Sequence, residues 1–336
     1  MSALGRGGVV FMVLWWAGAA ALAGTLEQVK ERKFLHCGIA QQLPGFAYVD
    51  QRGRFQGFDV DFCQGLAAAI GVEVKFIPLN AKERFSALQS GTVDVLYRNT
   101  TWTLGRDTQL GFDFAGVNYY DGQGFLVRRS LGIKSARELN GASVCMNAGT
   151  TTELNLADYF RSNGMAYKPV LYEKSEDARL AYEQGRCDFY STDASGLAAQ
   201  RSALQDPAAH VILPEIISKE PLGPVVRHGD SPWGDVVRWV LNAAIVAEEK
   251  GITSTNVERM AKTSQDPEIQ RLLGRTGEMG ANLGLAADWA VRAVKAVGNY
   301  GEIFERNLGR ETPLGLERGL NQLWNKGGIL YAPPIR

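Results

Sequence analysis

A run of polar side chains after one predicted strand has the composition of an anion-binding site. The strand covers residues 93–96, and residues 99–106 read NTTWTLGR. A guanidinium such as that of Arg106 holds a carboxylate through two parallel charge-assisted hydrogen bonds, which threonine hydroxyls and helix amides can supplement. Thr103 is placed as an N-cap three residues earlier, so both residues would face one helix start. The alternative is a surface turn in which Arg106 pairs with a nearby acid such as Asp107.

A second polar run follows a predicted strand in the other half of the chain. Residues 149–153 read GTTTE after the strand at 143–146. Thr150 and Glu153 have the spacing of a capping box and predict a helix N-terminus with free backbone amides. Such termini bind anions. The alternative is a well-capped helix with no ligand.

An acidic residue completes the set. Asp193 lies beyond a predicted strand at 188–191, where it could receive a cation. Its alternative role is the N-cap of a predicted helix at 194–200. Together the three features supply a cation, an anion-binding helix start and an anion, which complement a zwitterion.

Strands that alternate with helices must position these groups. Apolar runs and helical spacing predict the same order of elements twice. The first half has strands at 34–40, 72–79 and 93–96 with helices at 58–70 and 83–91. The second half has strands at 143–146, 168–172 and 188–191 with helices at 152–163 and 175–184. This βαβαβ order implies parallel sheets with ligands at the carboxyl ends of strands. After Pro232 the pattern is helical, with helices predicted at 236–250, 257–261, 269–273, 289–297, 303–307 and 314–324.

The first 23 residues have the pattern of a secretory signal peptide. Arg6 precedes an apolar run, and Ala21-Leu22-Ala23 offers a cleavage site. We therefore expect the chain to be exported from the cytoplasm. The remaining chain is too long for one ordinary core, which predicts two domains.

Composition argues against two other classes of site. The chain of 336 residues has a formal net charge of zero, so it lacks the basic footprint of a nucleic-acid-binding protein. Its three histidines are scattered without metal-ligand spacing, and we expect no metal or other cofactor.

Four cysteines would enter an oxidising compartment after export. They allow three disulfide connectivities, and sequence alone does not choose among them. In a two-lobe chain, Cys37–Cys63 would close one lobe and Cys145–Cys187 the other. The alternative is that each is a small buried apolar residue.

In combination, these motifs resemble the polar amino-acid-binding branch of the periplasmic solute-binding proteins of ABC transporters. The matching runs are GFDVD at 57–61, F-x-A-L-Q-x-G-x-x-D at 85–94, T-x-T-x-x-R at 101–106, GTT at 149–151 and the late Asp193. RNTTWT at 98–103, WNKGG at 324–328 and YAPP at 331–334 are similar to the general L-amino-acid-binding subgroup of Gram-negative bacteria.

The resemblance implies a two-lobe α/β clamp with two hinge crossings and a helical C-terminal extension. Lobe 1 would comprise residues 24–123 and 220–336, and lobe 2 residues 124–219, with hinges near 120–124 and 216–222. It also implies a monomer that binds free L-amino acids and delivers them to the membrane permease subunits of an ABC transporter.

The resemblance further implies roles for individual residues. Arg106 would bind the ligand carboxylate with help from Thr101 and Thr151, and Asp193 would bind the α-ammonium with the Asn99 carbonyl and Thr101. Asn147 and Thr192 would line the side-chain end of the pocket.

Two departures from the family pattern favour broad specificity. Many relatives stack an aromatic on the ligand after the first strand, whereas here Phe46 is displaced from that position, and a second aromatic position falls near the small Ala81. Asp59 or Asp61 is interpreted as a cap of the first helix and not as a ligand contact.

Two other functions compete with the receptor. A periplasmic enzyme on the same scaffold, similar to a cyclohexadienyl or arogenate dehydratase, would need an added general acid or base in the cleft. A sensory receptor domain would need a membrane span, and none is predicted after residue 23.

Overall fold

The computed structural model describes residues 24–336, so the predicted signal peptide lies outside the described residues. Its first sheet has five strands, ordered Glu73–Leu79, Phe34–Ala40, Val95–Leu96, Val225–Arg227, Phe112–Phe114. The first three are parallel and the last two run antiparallel to their neighbours. The helices Thr25–Arg32, Phe58–Ile70 and Arg84–Gln89 belong to this part of the chain. The predicted βαβαβ order is therefore present.

The second sheet repeats this design. Its order is Lys168–Tyr172, Ser143–Asn147, Phe189–Asp193, Gln123–Arg128, His210–Ile212. The first three strands are again parallel, and Gln123–Arg128 runs antiparallel to both of its neighbours. Its helices are Thr151–Ser162, Ser175–Glu183 and Ala194–Ser202. Each sheet has a core of buried apolar side chains, which makes the molecule a two-lobe α/β protein as predicted.

Two short strands carry the chain between the lobes. Tyr119–Asp121 pairs antiparallel with Glu220–Leu222, and Tyr119 faces Leu222 in the register. Both strands overlap the hinge segments predicted from sequence. The residues at which each lobe begins and ends stay a prediction.

The C-terminal region is mostly helical and packs on the first lobe. Its helices are Ser231–Glu249, Val257–Thr263, Pro267–Leu272, Met279–Asn282, Trp289–Val297 and Tyr300–Asn307. The buried rings of Trp289, Tyr300 and Phe304 belong to the same core cluster as Phe58 and Phe62 of the first lobe. None of the helices described in residues 24–336 is long and apolar enough to cross a membrane.

The helix predicted at 314–324 is wrong. The segment forms turns, with single 3-10 turns at Gly319–Asn321 and Trp324–Lys326. Gly315 and Gly319 adopt left-handed backbone angles, with φ of 61° and 48°, which interrupt a right-handed helix. The apolar residues whose spacing suggested a helix lie in separate, successive turns of the chain.

Both cysteine pairs expected for a two-lobe chain are disulfides. Cys37–Cys63 joins the first strand to the helix Phe58–Ile70, and Cys145–Cys187 joins the strand Ser143–Asn147 to the residues before Phe189. Each bridge lies within one lobe, where it stabilises that lobe without hindering movement between the lobes.

The prediction that Asp59 or Asp61 caps the helix Phe58–Ile70 is wrong. Its N-cap is Gly57 at a φ of 133°, and no side chain caps the helix. Asp61 instead forms an ion pair with Arg306 of the C-terminal region at 2.7 Å. Asp59 points to the cleft region described below.

Candidate functional site

The carboxyl ends of the parallel strands in the two sheets face each other across a cleft. The cleft contains a narrow cavity of about 40 Å³ and a wider one of about 380 Å³, which share the lining residues Arg98, Asn99, Ser175 and Thr192. Residues of both lobes line each cavity. An ion pair of 3.2 Å between Lys82 and Glu173 also crosses the cleft, so the lobes are closed on each other.

Arg106 lies in the predicted position beside this cleft. Thr103 Oγ1 accepts the Arg106 backbone N–H at 3.3 Å, which fits the predicted N-cap. The Arg106 side chain is buried, its Nη1 donates to the Thr101 carbonyl at 2.8 Å, and its guanidinium lies 5.2 Å from the Phe85 ring centre. Asp107, its alternative partner, instead accepts the indole N–H of Trp102 at 2.8 Å. Arg106 therefore does not belong to a surface turn.

Arg106 does not itself line the narrow cavity, whereas two other arginines do. Arg84 and Arg98 are 2% and 7% exposed, and both line the narrow cavity. Arg84 Nε has no hydrogen-bond partner among residues 24–336. Burial lowers the pKa of Arg98 to about 10 and that of Arg84 well below its usual range, where Arg106 adds repulsion. A ligand carboxylate would relieve the repulsion among the three guanidiniums.

The second-lobe helix begins at the cleft but lacks the predicted capping box. Thr150 donates its hydroxyl proton to the Asn147 carbonyl at 2.8 Å and caps no helix amide. Glu153 accepts from the Gly149 backbone N–H at 2.8 Å, one residue before the expected cap. The side chain of Thr150 thus leaves the first amides of the helix Thr151–Ser162 unoccupied, as an anion site requires.

Asp193 occupies the N-cap position of the helix Ala194–Ser202 but makes no capping hydrogen bond. Its carboxylate is buried and lines the narrow cavity. Burial and the nearby charges of Asp121 and Glu220 raise the pKa of Asp193 well above its usual range. A cation beside it would reverse that shift, so the geometry favours the cation-binding role over the helix cap.

The remaining predicted residues gather in the same place. Asn99, Thr101, Thr151, Asn147 and Thr192 all line the narrow cavity. Asn99 and Thr192 also line the wider one, whereas Asn147 lines the narrow cavity alone, and its place at the side-chain end of the ligand stays a prediction. Asn147 is held by Ser175 Oγ at 3.1 Å and by the Tyr172 carbonyl at 3.3 Å.

Asp59 supports this site from the first helix. Its buried carboxylate accepts the backbone N–H of Asn99 and a side-chain bond from Asn118, and burial raises its pKa to about 7. Asn99 has a left-handed φ of 32°, a conformation that needs such support in a residue other than glycine. Asp59 is therefore a positioning residue for Asn99 and not the helix cap that the sequence suggested.

Sequence reasoning missed three residues of the site. These are Arg84, Arg98 and the hinge-strand Glu220, which is 1% exposed and accepts hydrogen bonds from Thr101 and Thr151. Arg84 and Arg98 lie next to motifs at strand ends, so a search for basic residues at those ends could have found them. No local pattern marks Glu220, because its role depends on how the chain crosses between lobes.

The displaced aromatic does not reach the ligand site. Phe46 is 1% exposed and packs against Phe58 and Tyr119 in the first-lobe core. Ala81 lines the narrow cavity as a small residue. The wider cavity has Phe55 and Tyr190 among its lining residues, so its aromatic surface comes from other parts of the chain.

Comparisons with known proteins agree with this arrangement. Residues 35–310 match the family of bacterial extracellular solute-binding proteins, family 3. The chain is 56% identical over 329 residues to the general L-amino acid-binding periplasmic protein AapJ of Rhizobium johnstonii, covering 96% of each chain. It is 55% identical over 332 residues to the glutamate/glutamine/aspartate/asparagine-binding protein BztA of Rhodobacter capsulatus, covering 98% of each.

A solved structure has the same overall fold. It is an ABC transporter periplasmic binding protein from Brucella ovis with glutathione bound, which is 58% identical. The TM-score is 0.91, over 94% of this chain and 100% of that one. The resemblance read from the sequence is confirmed: the chain belongs to the family 3 bacterial extracellular solute-binding proteins.

Proposed function

We propose that this protein is the substrate-binding component of an amino-acid ABC transporter and binds free L-amino acids with broad specificity. One observation carries the proposal: the narrow cavity between the lobes is lined by Arg84 and Arg98 of the first lobe and by Asp193 of the second, whose carboxylate makes no helix-capping hydrogen bond. Opposite charges in one cavity complement the α-carboxylate and α-ammonium of one zwitterion.

The roles follow from this charge arrangement. Arg84 and Arg98, which line the narrow cavity, hold the ligand carboxylate together with the first amides of the helix Thr151–Ser162, and the guanidinium of Arg106 beside the cleft supplements them. Asp193 holds the ammonium, to which the Asn99 carbonyl and Thr101 also contribute. Charge-assisted hydrogen bonds contribute roughly 1.5–3 kcal/mol each, so a few account for the −8 kcal/mol or so of micromolar binding.

The wider cavity explains the broad specificity. Its volume of about 380 Å³ falls within the range of small-molecule sites, roughly 300–1,000 Å³. Apolar Leu43 and Phe55 lie beside polar Gln42 and Gln200 in its lining, and no single charge dominates it. Side chains of different chemistry therefore find partial partners there while the head group makes the same contacts.

Glutathione is a second candidate ligand. Its γ-linked glutamyl residue keeps a free α-carboxylate and α-ammonium, so the narrow cavity would treat it as an amino acid. The rest of the tripeptide would extend into the wider cavity, which is larger than most amino-acid side chains need. The glutathione-bound relative at 58% identity supports this second ligand.

The cellular setting follows from the same family. The predicted signal peptide directs the chain to the periplasm, where it acts as a monomer and hands its ligand to the membrane permease subunits. Closure of the two lobes buries the ligand and forms the surface that the permease recognises. Nucleic acid has no part in this role.

The protein acts as a receptor and not as an enzyme. A dehydratase on this scaffold needs a proton donor aimed at the leaving group, whereas Asp193 faces the position of the ligand ammonium. Incubation of the mature protein with arogenate or prephenate is expected to yield no aromatic product; formation of phenylalanine or phenylpyruvate would overturn this part of the proposal.

Calorimetric titration of the mature protein tests the function. We expect saturable micromolar binding of several chemically different L-amino acids, for example glutamate, glutamine, alanine and leucine, and competition between each and glutathione. Binding of one amino acid alone would agree with a two-lobe amino-acid receptor but contradict its broad specificity. No binding across the panel would contradict the proposed function.

A further inference from the structure

Glu220 accepts hydrogen bonds from both lobes although it belongs to the hinge. Its Oε2 accepts from Thr101 Oγ1 at 2.5 Å and from Thr151 Oγ1 at 3.0 Å. Its Oε1 accepts from Asn155 Nδ2 at 2.7 Å and from Ser218 Oγ at 2.8 Å. The carboxylate is 1% exposed, so these four donors replace its water.

This arrangement determines what the two threonines offer to a ligand. A hydroxyl has one proton to donate and lone pairs to accept, and an ionised carboxylate only accepts. The protons of Thr101 and Thr151 are therefore both directed to Glu220. The oxygens that remain at the narrow cavity, which both residues line, can only accept hydrogen bonds.

We propose that Glu220 is a positioning residue that turns Thr101 and Thr151 into hydrogen-bond acceptors for the ligand ammonium. The inference rests on the proposed function, because it assigns donors and acceptors within the same amino-acid site. The ligand carboxylate is then held by arginines and helix amides without the threonine hydroxyls.

The position of Glu220 also couples the alignment of the two threonine hydroxyls to closure of the lobes. Thr101 is joined to the hinge strand by a backbone bridge to Leu222, on the first-lobe side. Thr151 and Asn155 belong to the second-lobe helix Thr151–Ser162. One carboxylate reaches all three only while the lobes are closed, so both acceptors are aligned when the ligand is enclosed.

The first test is Glu220→Gln. The amide keeps one accepting oxygen, but in a neutral group this oxygen holds the two hydroxyl protons less firmly than the carboxylate does, and the NH2 group turns them away if it faces the threonines. We expect calorimetry to show at least a tenfold weaker binding of L-amino acids, with the melting temperature and the circular dichroism spectrum retained.

Glu215→Gln is the matched control. Glu215 lies on the same segment near the hinge, but its hydrogen bonds within residues 24–336 are to Ser135 and the Ala136 amide of the second lobe. Its substitution is expected to leave affinity within twofold. Equal affinity of the Glu220→Gln and wild-type proteins would overturn the proposal.

A double-mutant cycle separates positioning from a merely structural role. If Glu220 acts through the hydroxyls, adding Glu220→Gln to Thr151→Val must weaken binding less than it does in the wild-type background, and Thr151→Ser must restore affinity. Fully additive losses, or no rescue by serine, would contradict the proposal.

The threonine variant gives an answer even if Glu220→Gln fails to fold. N-methylation of the ligand removes one ammonium proton, so it should weaken binding to wild-type protein more than to Thr151→Val. Equal losses would show that Thr151 does not accept from the ammonium. A wild-type protein that binds no amino acid would instead contradict the proposed function, which keeps the two failures distinct.

Discussion

The two ends of the cleft differ in the polar groups that line them. At the head-group end, Asp193 and Arg98 are buried ionisable side chains, and Asn99 is supported by Asp59. At the side-chain end, Gln200 Nε2 is buried without a hydrogen-bond partner among the described residues. The first end is built for one fixed pattern of charges, and the second tolerates variation. A receptor with this division binds the α-carboxylate and α-ammonium that all amino acids share and discriminates little among their side chains.

The largest effect is expected from Arg106→Ala, which should break the head-group end. Loss of a buried guanidinium removes a bidentate carboxylate partner and leaves Asp193 and Glu220 with one positive charge fewer. Calorimetry should show affinity reduced by more than about 100-fold for every ligand. Arg161→Ala is the control, because Arg161 is exposed and pairs only with Asp158. Retained micromolar binding would refute the role of Arg106.

Asp193→Asn should have the next largest effect. The amide keeps the shape of the side chain but loses its charge, which reduces affinity for the ammonium by roughly 10–100-fold. The loss should be similar for small and large ligands, because Asp193 contacts only what they share. Asp188→Asn is a control at the opposite end of the same strand, where Asp188 binds Ser143. A loss confined to one ligand class would place Asp193 at the side-chain end.

The pH dependence of binding should report the same aspartate. Burial and the charges of Asp121 and Glu220 raise the pKa of Asp193, whereas Arg84 and Arg106 oppose this rise. Because the ammonium binds the anionic form, affinity is full above the raised pKa and falls as pH decreases through it, above the usual aspartate value of about 3.9. Asp121, whose pKa is raised to about 6, adds to this acid loss.

Titrations between about pH 8 and pH 4 would measure this profile. The Asp193→Asn protein should show a flatter curve than the wild type. Identical curves for the two proteins would assign the acid loss to another group, such as Asp121.

The smallest effect is expected at the side-chain end. Gln200→Ala removes an amide that lines the wider cavity, so alanine should bind within about threefold of its wild-type affinity, while glutamine or glutathione should lose more, up to roughly tenfold. Gln205→Ala, on the exposed surface, is the control. A large loss for alanine would show that the two ends are not separate.

Local patterns were sufficient to predict much of this molecule. Apolar runs such as 34–40 located the parallel strands, and polar residues at their carboxyl ends located the cleft. Arg106 was found because it belongs to a polar run that follows a predicted strand, and Asp193 because it is an acid just beyond another. These features depend on residues close together in the chain.

The errors arose where distant residues compete for one group. Asp59 was expected to cap its helix but supports Asn99, and Thr150 bonds to Asn147 instead of the helix amides. Glu220 was missed because its partners are contributed by two lobes and the hinge. Such choices depend on tertiary geometry that no spacing along the chain encodes.

The most direct test is a calorimetric comparison of head-group changes with side-chain changes. The ligands are L-glutamate, L-leucine, D-glutamate and an L-amino acid amide that lacks the carboxylate. We predict micromolar binding of both L-amino acids, within about tenfold of each other, and no saturable binding of the D-enantiomer or the amide. Tight binding of the D-enantiomer or the amide, or strong preference between the two L-amino acids, would contradict a cleft that reads the head group and not the side chain.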